Sequence, residues 1–175
     1  AVAQPRYRGG HTTVKAQSVT LVAYGAFRLP HDIDLGIQIG HDIAFHDQDR
    51  KVRGYKHDSD YRVNTAFIGA SLAVNIALTE EVTMRPFLGY NYTAVKSGGY
   101  DEGTGAPYML EVEPFTQNLH NLKAGAEFAY DDGSSKITAS AYYHGLYGDR
   151  QARARAWLTR NPYETEFTAT GHELD

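Results

Sequence analysis

HDIDLGIQIGHDIAFH, residues His31 to His46, is the stretch that decides the fold class of this chain. Its even positions are polar or very small, and the odd positions include two histidines, His31 and His41. The remaining odd positions are apolar and begin with four large aliphatic residues: Ile33, Leu35, Ile37 and Ile39. Because successive side chains of a β-strand point to opposite faces, this alternation predicts a strand with one apolar and one polar face.

The same alternation returns along the rest of the chain. Residues 62–78 and 82–94 carry apolar side chains at even positions, among them Leu72, Val74, Ile76, Leu88 and Tyr90. Further alternating segments cover residues 122–130, 137–147 and 151–160, and weaker ones cover 19–27 and 165–171. The patterns predict about eight strands and favour no helix, so the expected class is all-β.

Short turns and longer polar segments alternate between the predicted strands. Pro, Asp, Gly or Ser residues at 29–31, 79–81, 131–134 and 148–149 predict hairpin turns. Two longer polar segments, residues 47–61 and 96–107, predict loops. This arrangement is typical of an antiparallel up-and-down meander in a single domain.

The composition excludes several classes of protein. A formal net charge of -4 offers no basic surface for nucleic acid, so neither DNA nor RNA is an expected partner. The absence of cysteine excludes disulfides, thiolate metal sites and cysteine nucleophiles. No segment contains the roughly 18 to 20 consecutive apolar residues of a membrane-spanning helix.

The two faces of the predicted strands are expected to contact two different environments, lipid on one side and water on the other. A strand array can lie in hydrocarbon only when it closes into a barrel, because each unpaired backbone group there costs several kcal/mol. We therefore predict a transmembrane β-barrel with the apolar residues toward lipid: Ile33, Leu35, Ile37, Ile39, Leu72, Val74, Ile76, Leu88 and Tyr90. The residues predicted to line an aqueous lumen are Arg62, Arg85, Asn91, Lys123, Glu127, Lys136, Arg153 and Arg155.

Catalytic and metal sites are not expected from this sequence. His31, His41 and His46 lie close in the sequence to Asp32, Asp34, Asp42 and Asp47. However, His41 and His46 differ in parity and therefore point to opposite sides of a strand. No G-x-S-x-G motif is present. We predict no metal, no cofactor and no enzymatic activity. The charged lumen set fits either a hydrophilic passage for a polypeptide or internal salt bridges that fill a narrow barrel.

Several segments together resemble the C-terminal β-domain of autotransporters, the translocators of type V secretion. The segments are MRPFLGYNYTAVKSGGYDE (Met84 to Glu102), LKAGAEFAY (Leu122 to Tyr130), ITASAYYHGLYGD (Ile137 to Asp149) and ETEFTATGHELD (Glu164 to Asp175). The resemblance implies a barrel in the outer membrane of a Gram-negative bacterium, contacting outer-membrane lipid. It also implies that the barrel anchors and helps export its own passenger polypeptide and is inserted by the outer-membrane barrel assembly machinery.

The chain also departs from the family pattern. The resemblance implies about twelve strands, a helix at the start and an aromatic residue at the end, whereas this chain has about eight predicted strands and ends in His172, Glu173, Leu174 and Asp175. We therefore expect one barrel domain truncated at both ends. The alternatives are a self-contained eight-stranded outer-membrane barrel acting as an adhesin or structural tether, and a soluble ligand-binding β-barrel.

Overall fold

The computed structural model describes residues 7–9, 12–103, 108–159 and 165–173, nearly all of them in antiparallel β-strands. No helix among these residues is long and apolar enough to span a membrane. The strands are β1 (Tyr7–Gly9), β2 (Thr12–Leu29), β3 (Ile33–Val52), β4 (Tyr55–Val74), β5 (Ile76–Ala77), β6 (Val82–Ser97), β7 (Tyr100–Asp101), β8 (Met109–Val112), β9 (Phe115–Asp131), β10 (Lys136–Gly148), β11 (Gln151–Thr159) and β12 (Thr165–Glu173).

The strands form two hydrogen-bonded sheets in meander order. The larger sheet has the order β1-β2-β3-β4-β6-β9-β10, and β5 extends β4 along β6. The smaller sheet has the order β12-β11-β8-β7. Every pair is antiparallel, which confirms the predicted all-β class. Among the described strands, neither β2 nor β10 pairs with β12, so these two sheets do not close on themselves.

Several of the short strands continue longer ones. β6 pairs with β9 up to Ser97 and Phe115, and β7 then pairs with β8 in the same register, starting at Tyr100 and Val112. In the same way, β10 and β11 lie end to end along β9 and β8. The prediction of a hairpin turn at residues 148–149 is therefore wrong. Gly148 has a φ of 96° and the Asp149 N–H donates to the Asn118 carbonyl at 2.7 Å, so these residues form a bulge inside one long strand.

The long polar segment at residues 47–61 is also not a loop, contrary to the prediction. β3 and β4 remain paired through it and join at a two-residue turn, Arg53 and Gly54, with φ values of 48° and 89°. Positive φ at both positions is the geometry of a type I′ hairpin. A tilted strand needs about 9 to 11 residues to cross a bilayer, whereas β3 and β4 have 20 residues each. Their charged ends therefore project well beyond the apolar part of the sheet.

The register sorts the large sheet into an apolar and a polar face. One transverse row of the apolar face contains Leu35, Leu72, Leu88, Ala124 and Tyr143 as successive partners. The next row is Ile37, Ala70, Tyr90, Leu122 and Gly145. We call this side the apolar face, and it carries every residue of the predicted lipid-facing set. The opposite side, the polar face, carries Asp34, Gln38, Ser71, Asn91 and Lys123.

The described residues contain almost no dry core. The buried hydrophobic residues are only Ala73, Met109, Ala154 and Ala156. Large side chains of the apolar face are exposed instead, for example Ile39 at 58% and Leu88 at 51%. A contiguous apolar surface of this extent is atypical of a monomer in water.

Candidate functional site: a polar trough and its cap

A trough of about 1250 Å³ runs over the polar face and spans the strands from β2 to β10. Charged and amide side chains project into it from at least four strands, and the most prominent are Arg28, Asp34, Arg85, Lys123 and Glu127. Small residues lie between them (Gly36, Gly69, Ser71 and Gly89), and the rings of Tyr24, Phe87 and Tyr142 also line the trough. The trough is therefore a broad, open surface that carries charges of both signs beside aromatic rings.

The small residues allow side chains from strands that are not neighbours to meet. Gln38 of β3 donates an Nε2 hydrogen to Asn91 Oδ1 of β6 at 2.5 Å, and this bond passes over Gly69 of the intervening β4. A Cβ atom at Gly69 would overlap the Asn91 amide. Alternate strands lie about 10 Å apart, so glycine at this position is what lets the two side chains bridge them.

Asp34 is the centre of an ionic network near the turn end of the trough. It accepts hydrogen bonds from Arg28 Nε at 3.2 Å and from Asn75 Nδ2 at 3.0 Å. Arg85 Nη2 lies 3.5 Å from the same carboxylate. The Arg28 side chain is 74% exposed, so solvent screens this network and it adds little to stability. Its effect is to hold mixed charges in fixed positions on a wet surface.

Lys123 occupies the opposite side of the trough and contacts two aromatic rings. Its Nζ lies 4.1 Å from the centroid of the Tyr142 ring and 5.6 Å from that of Phe87. Both distances are within the range of cation–π attraction. The ammonium group therefore lies over two aromatic rings in the wall of the trough.

The structure separates the predicted lumen-lining residues into three groups. Four of them line the trough: Arg85, Asn91, Lys123 and Glu127. Lys136 pairs with Asp131 beside the β9–β10 turn, and Arg153 and Arg155 pair with Thr170 and Thr168 in the smaller sheet. These three do not line the trough, and their position relative to a lumen stays a prediction.

Arg62 does not lie on the polar face. Its partner across the β3–β4 ladder is Phe45, and it shares the parity of Ala66, Ile68 and Leu72. The residue type suggested the polar face, but the period-two geometry of β4 puts Arg62 on the apolar side, near the projecting end of the strand.

A buried ionic cluster beyond the apolar part of the sheet was not found by sequence reasoning. Arg50 Nε donates to Glu102 Oε1 at 2.6 Å, and Arg50 Nη2 contacts both Glu102 Oε2 and, at 2.8 Å, the Tyr108 carbonyl. Glu102 Oε2 also accepts the Leu110 N–H at 2.8 Å, and its side chain is 0% exposed. The hydrogen bond to Glu102 raises the pKa of Arg50, against the opposing effect of desolvation. His57, 2% exposed, has its Nδ1 3.8 Å from Glu102.

A stack of rings lies beside this cluster. The His46 and Tyr61 rings are 4.7 Å apart, and Tyr61 and Tyr100 are 5.1 Å apart. Burial raises the pKa of both tyrosines. Burial also lowers the pKa of His46 from its usual 6.5, and the charge of Asp47 partly offsets this. The contacts of the ionic cluster and of the ring stack hold β7 and β8 against the polar side of the β3–β4 hairpin. We call this folded part the cap.

The cap forms from residues far apart in the sequence. Arg50 and Glu102 are separated by 52 positions, so no local spacing indicates that they meet. The only sequence signal is that His46, Gln48 and Arg50 keep the polar parity of β3 beyond its apolar part.

The histidines do not converge with acidic residues. His41 pairs with Ala66 on the apolar face, whereas His46 pairs with Tyr61 on the polar face, so the predicted difference in direction is confirmed. Within the part of the chain that the structure describes, no three His, Asp or Glu side chains are placed to hold a metal ion.

Comparison with known proteins agrees with this architecture. The family description "autotransporter beta-domain" matches residues 3–175 of the chain. No individual curated protein matches it significantly. A match over nearly the whole length, together with an antiparallel meander that has an apolar and a polar face, shows the family. The chain belongs to the autotransporter β-domain family, whose members are translocators in the outer membrane of Gram-negative bacteria.

Proposed function

We propose that this domain anchors a passenger polypeptide in the outer membrane and provides the hydrophilic surface along which that polypeptide is exported. The apolar face contacts lipid, and the polar trough faces an enclosed aqueous interior. The observation that carries the proposal is the contrast between an exposed aliphatic face, with Ile39 and Leu88 more than half exposed, and a trough lined by Arg85, Lys123 and Glu127.

The chemistry of the trough suits an extended polypeptide. A peptide in transit exposes backbone donors and acceptors and side chains of every type, so an apolar wall would bind it and retard it. The trough offers charges of both signs, amides and small residues between its rings, so its wall is not continuously apolar. No catalytic step is required, since the surface acts by solvation alone.

The edges of the sheets are part of the same proposal. Among the described strands, the outer edges of β10, of β12 and of the β1–β2 pair have no partner. Each unpaired backbone group in hydrocarbon costs several kcal/mol. We infer that these edges are paired once the domain is in the membrane, and that the barrel assembly machinery carries out this insertion.

Spin-label accessibility along β3 tests the assignment of the two faces. Labels at Leu35, Ile37 and Ile39 of the full-length protein in bilayers are expected to collide with oxygen, which concentrates in lipid. Labels at Asp34 and Gln38 are expected to collide with a water-soluble nickel complex instead. Equal exposure of both sets to the nickel complex would contradict the lipid assignment.

An export assay tests the role of the trough. Ser71→Trp places a large ring in the trough, whereas Ala70→Trp places the same ring on the apolar face one residue away. We expect the first variant to reduce the amount of passenger that external protease removes from intact cells, and the second to leave it unchanged. Equal export by both variants, each shown to be folded, would exclude the trough as the route.

A further inference from the structure

Two cations lie on the apolar face at the projecting end of the sheet. Lys96 pairs with Asn64, and Arg62 of β4 lies one alternate position beyond Asn64. Both side chains are exposed. Diagonal neighbours of this kind are about 7 to 8 Å apart between their Cα atoms. The two charges are therefore close enough to contact one small anionic group.

These cations have no anionic partner within the described part of the chain. Neither Arg62 nor Lys96 takes part in an ion pair or a side-chain hydrogen bond there. The nearest acids on the same face are Asp60, two positions from Arg62 along β4, and Asp47, which opposes Asp60 across the β3–β4 ladder. Neither of them forms an ion pair with Arg62. Lys15 of β2 differs in being the direct cross-strand partner of Asp47.

An apolar groove lies directly next to the cations. Its volume is about 470 Å³, and its sides include Leu21, Ile39, Ile68 and Tyr92. The groove is deepest where Ala66 of β4 pairs with Ala94 of β6, because these side chains are small. Lys96 follows Ala94 by two residues along β6, which is about 7 Å. A hydrocarbon chain in the groove would thus place its polar end at Lys96 and Arg62.

We propose that the groove and the two cations form a binding site for an acylated lipid with an anionic phosphate headgroup. Lys96 and Arg62 bind the phosphate oxygens, with Asn64 and Thr116 beside Lys96 in the same row. An acyl chain occupies the groove below. This site would lie near the surface of the bilayer. A cation on the lipid-facing side is costly near the middle of the bilayer but not near its surface, which explains how Arg62 can lie on this face. The inference rests on the proposed lipid assignment of the apolar face.

Native mass spectrometry of the full-length protein in neutral detergent tests the site. The probes are dioleoyl phosphatidylglycerol and dioleoyl phosphatidylcholine, which have the same acyl chains and differ in net headgroup charge. Near a membrane surface each cation contributes about 1 kcal/mol of attraction. The double variant Arg62→Gln/Lys96→Gln is therefore expected to bind phosphatidylglycerol about 30-fold more weakly. Its binding of phosphatidylcholine should not change.

A matched control uses the same change of charge elsewhere on the apolar side. Lys15→Gln/Lys51→Gln removes two exposed cations that lie farther toward the hairpin tip. This variant is expected to bind phosphatidylglycerol like the unmodified protein. An equal loss in both double variants would mean that only overall charge matters, and the site would be refuted.

A second variant tests the groove independently of charge. Ala66→Phe/Ala94→Phe fills the groove and keeps both cations, and it is expected to weaken binding of phosphatidylglycerol. Unchanged binding by this variant, or displacement of the lipid by millimolar inorganic phosphate alone, would refute the acyl-chain part of the site.

The spin-label experiment on β3 separates the two proposals. If Ile37 and Ile39 contact lipid but Arg62→Gln/Lys96→Gln keeps its affinity, only the lipid site is refuted. If those positions contact water, both proposals are refuted.

Discussion

Glu102→Ala is expected to release the cap from the β3–β4 hairpin. Glu102 is fully buried, and its carboxylate accepts two donors of Arg50 and the N–H of Leu110. Alanine would leave a guanidinium whose side chain is only 17% exposed without its counterion. It would also leave the Leu110 N–H without its side-chain acceptor.

The expected cost follows from the burial of the pair. Removing one partner of a buried ion pair destabilises by about 3 to 5 kcal/mol. Because Arg50 retains some access to water, we expect the lower end, about 3 kcal/mol, which corresponds to about a 100-fold increase in local opening. Hydrogen exchange measured by mass spectrometry should show this loss of protection in peptides from residues 98–112.

Two further variants decide whether the uncompensated charge is the cause. Arg50→Met/Glu102→Leu removes both charges and is expected to restore most of the protection, since apolar replacement of a buried pair is often neutral. Lys56→Met breaks only the exposed bridges of Lys56 with Asp49 and Asp58 and should leave residues 98–112 unchanged. Normal protection in Glu102→Ala, or a double variant as open as the single one, would refute the reasoning.

Three other predictions concern the faces, the glycines and pH. Leu72→Arg is expected to destabilise the protein in bilayers by about 2 to 4 kcal/mol, whereas Ser71→Arg on the polar face should be tolerated; equal unfolding midpoints in urea would contradict this. Gly125→Ala should be more destabilising than Gly69→Ala, because the new Cβ meets the backbone of β10 in the first case and a movable amide in the second; the same midpoints measure it, and the reverse order would count against it. Burial lowers the pKa of His46, so the unfolded state takes up its proton first. Stability of the cap should therefore fall as pH drops below about 6.5, and hydrogen exchange should show no such fall in His46→Phe.

The two-faced character of the strands follows from the sequence alone. Alternation is a local property of a strand, so every residue predicted to face lipid lies on the apolar face once the sheet is assembled. The turns predicted at residues 29–31 and 131–134 are also present, since Pro, Asp and Gly favour turns by local backbone geometry.

The ends of the strands do not follow from the sequence in the same way. Residues 47–61 carry polar side chains on both faces, so their sequence shows no alternation that would predict a strand. Backbone hydrogen bonds nevertheless keep β3 and β4 paired as far as the turn at Arg53 and Gly54. The bulge at Gly148 and Asp149 resembles a turn locally. Only the continued pairing of β11 with β8 distinguishes the two.

Contacts between distant strands were decided by the tertiary structure. Parity could place Arg62 on the apolar face, but only the register brings it next to Lys96 and the groove beside Ala94. The bridge between Gln38 and Asn91 and the cap ion pair of Arg50 and Glu102 join residues more than 50 positions apart. The sequence determines which side of each strand a residue occupies, because that depends on its neighbours along the chain. Which residues of other strands it meets depends on register and curvature, and these arise only when the whole sheet forms.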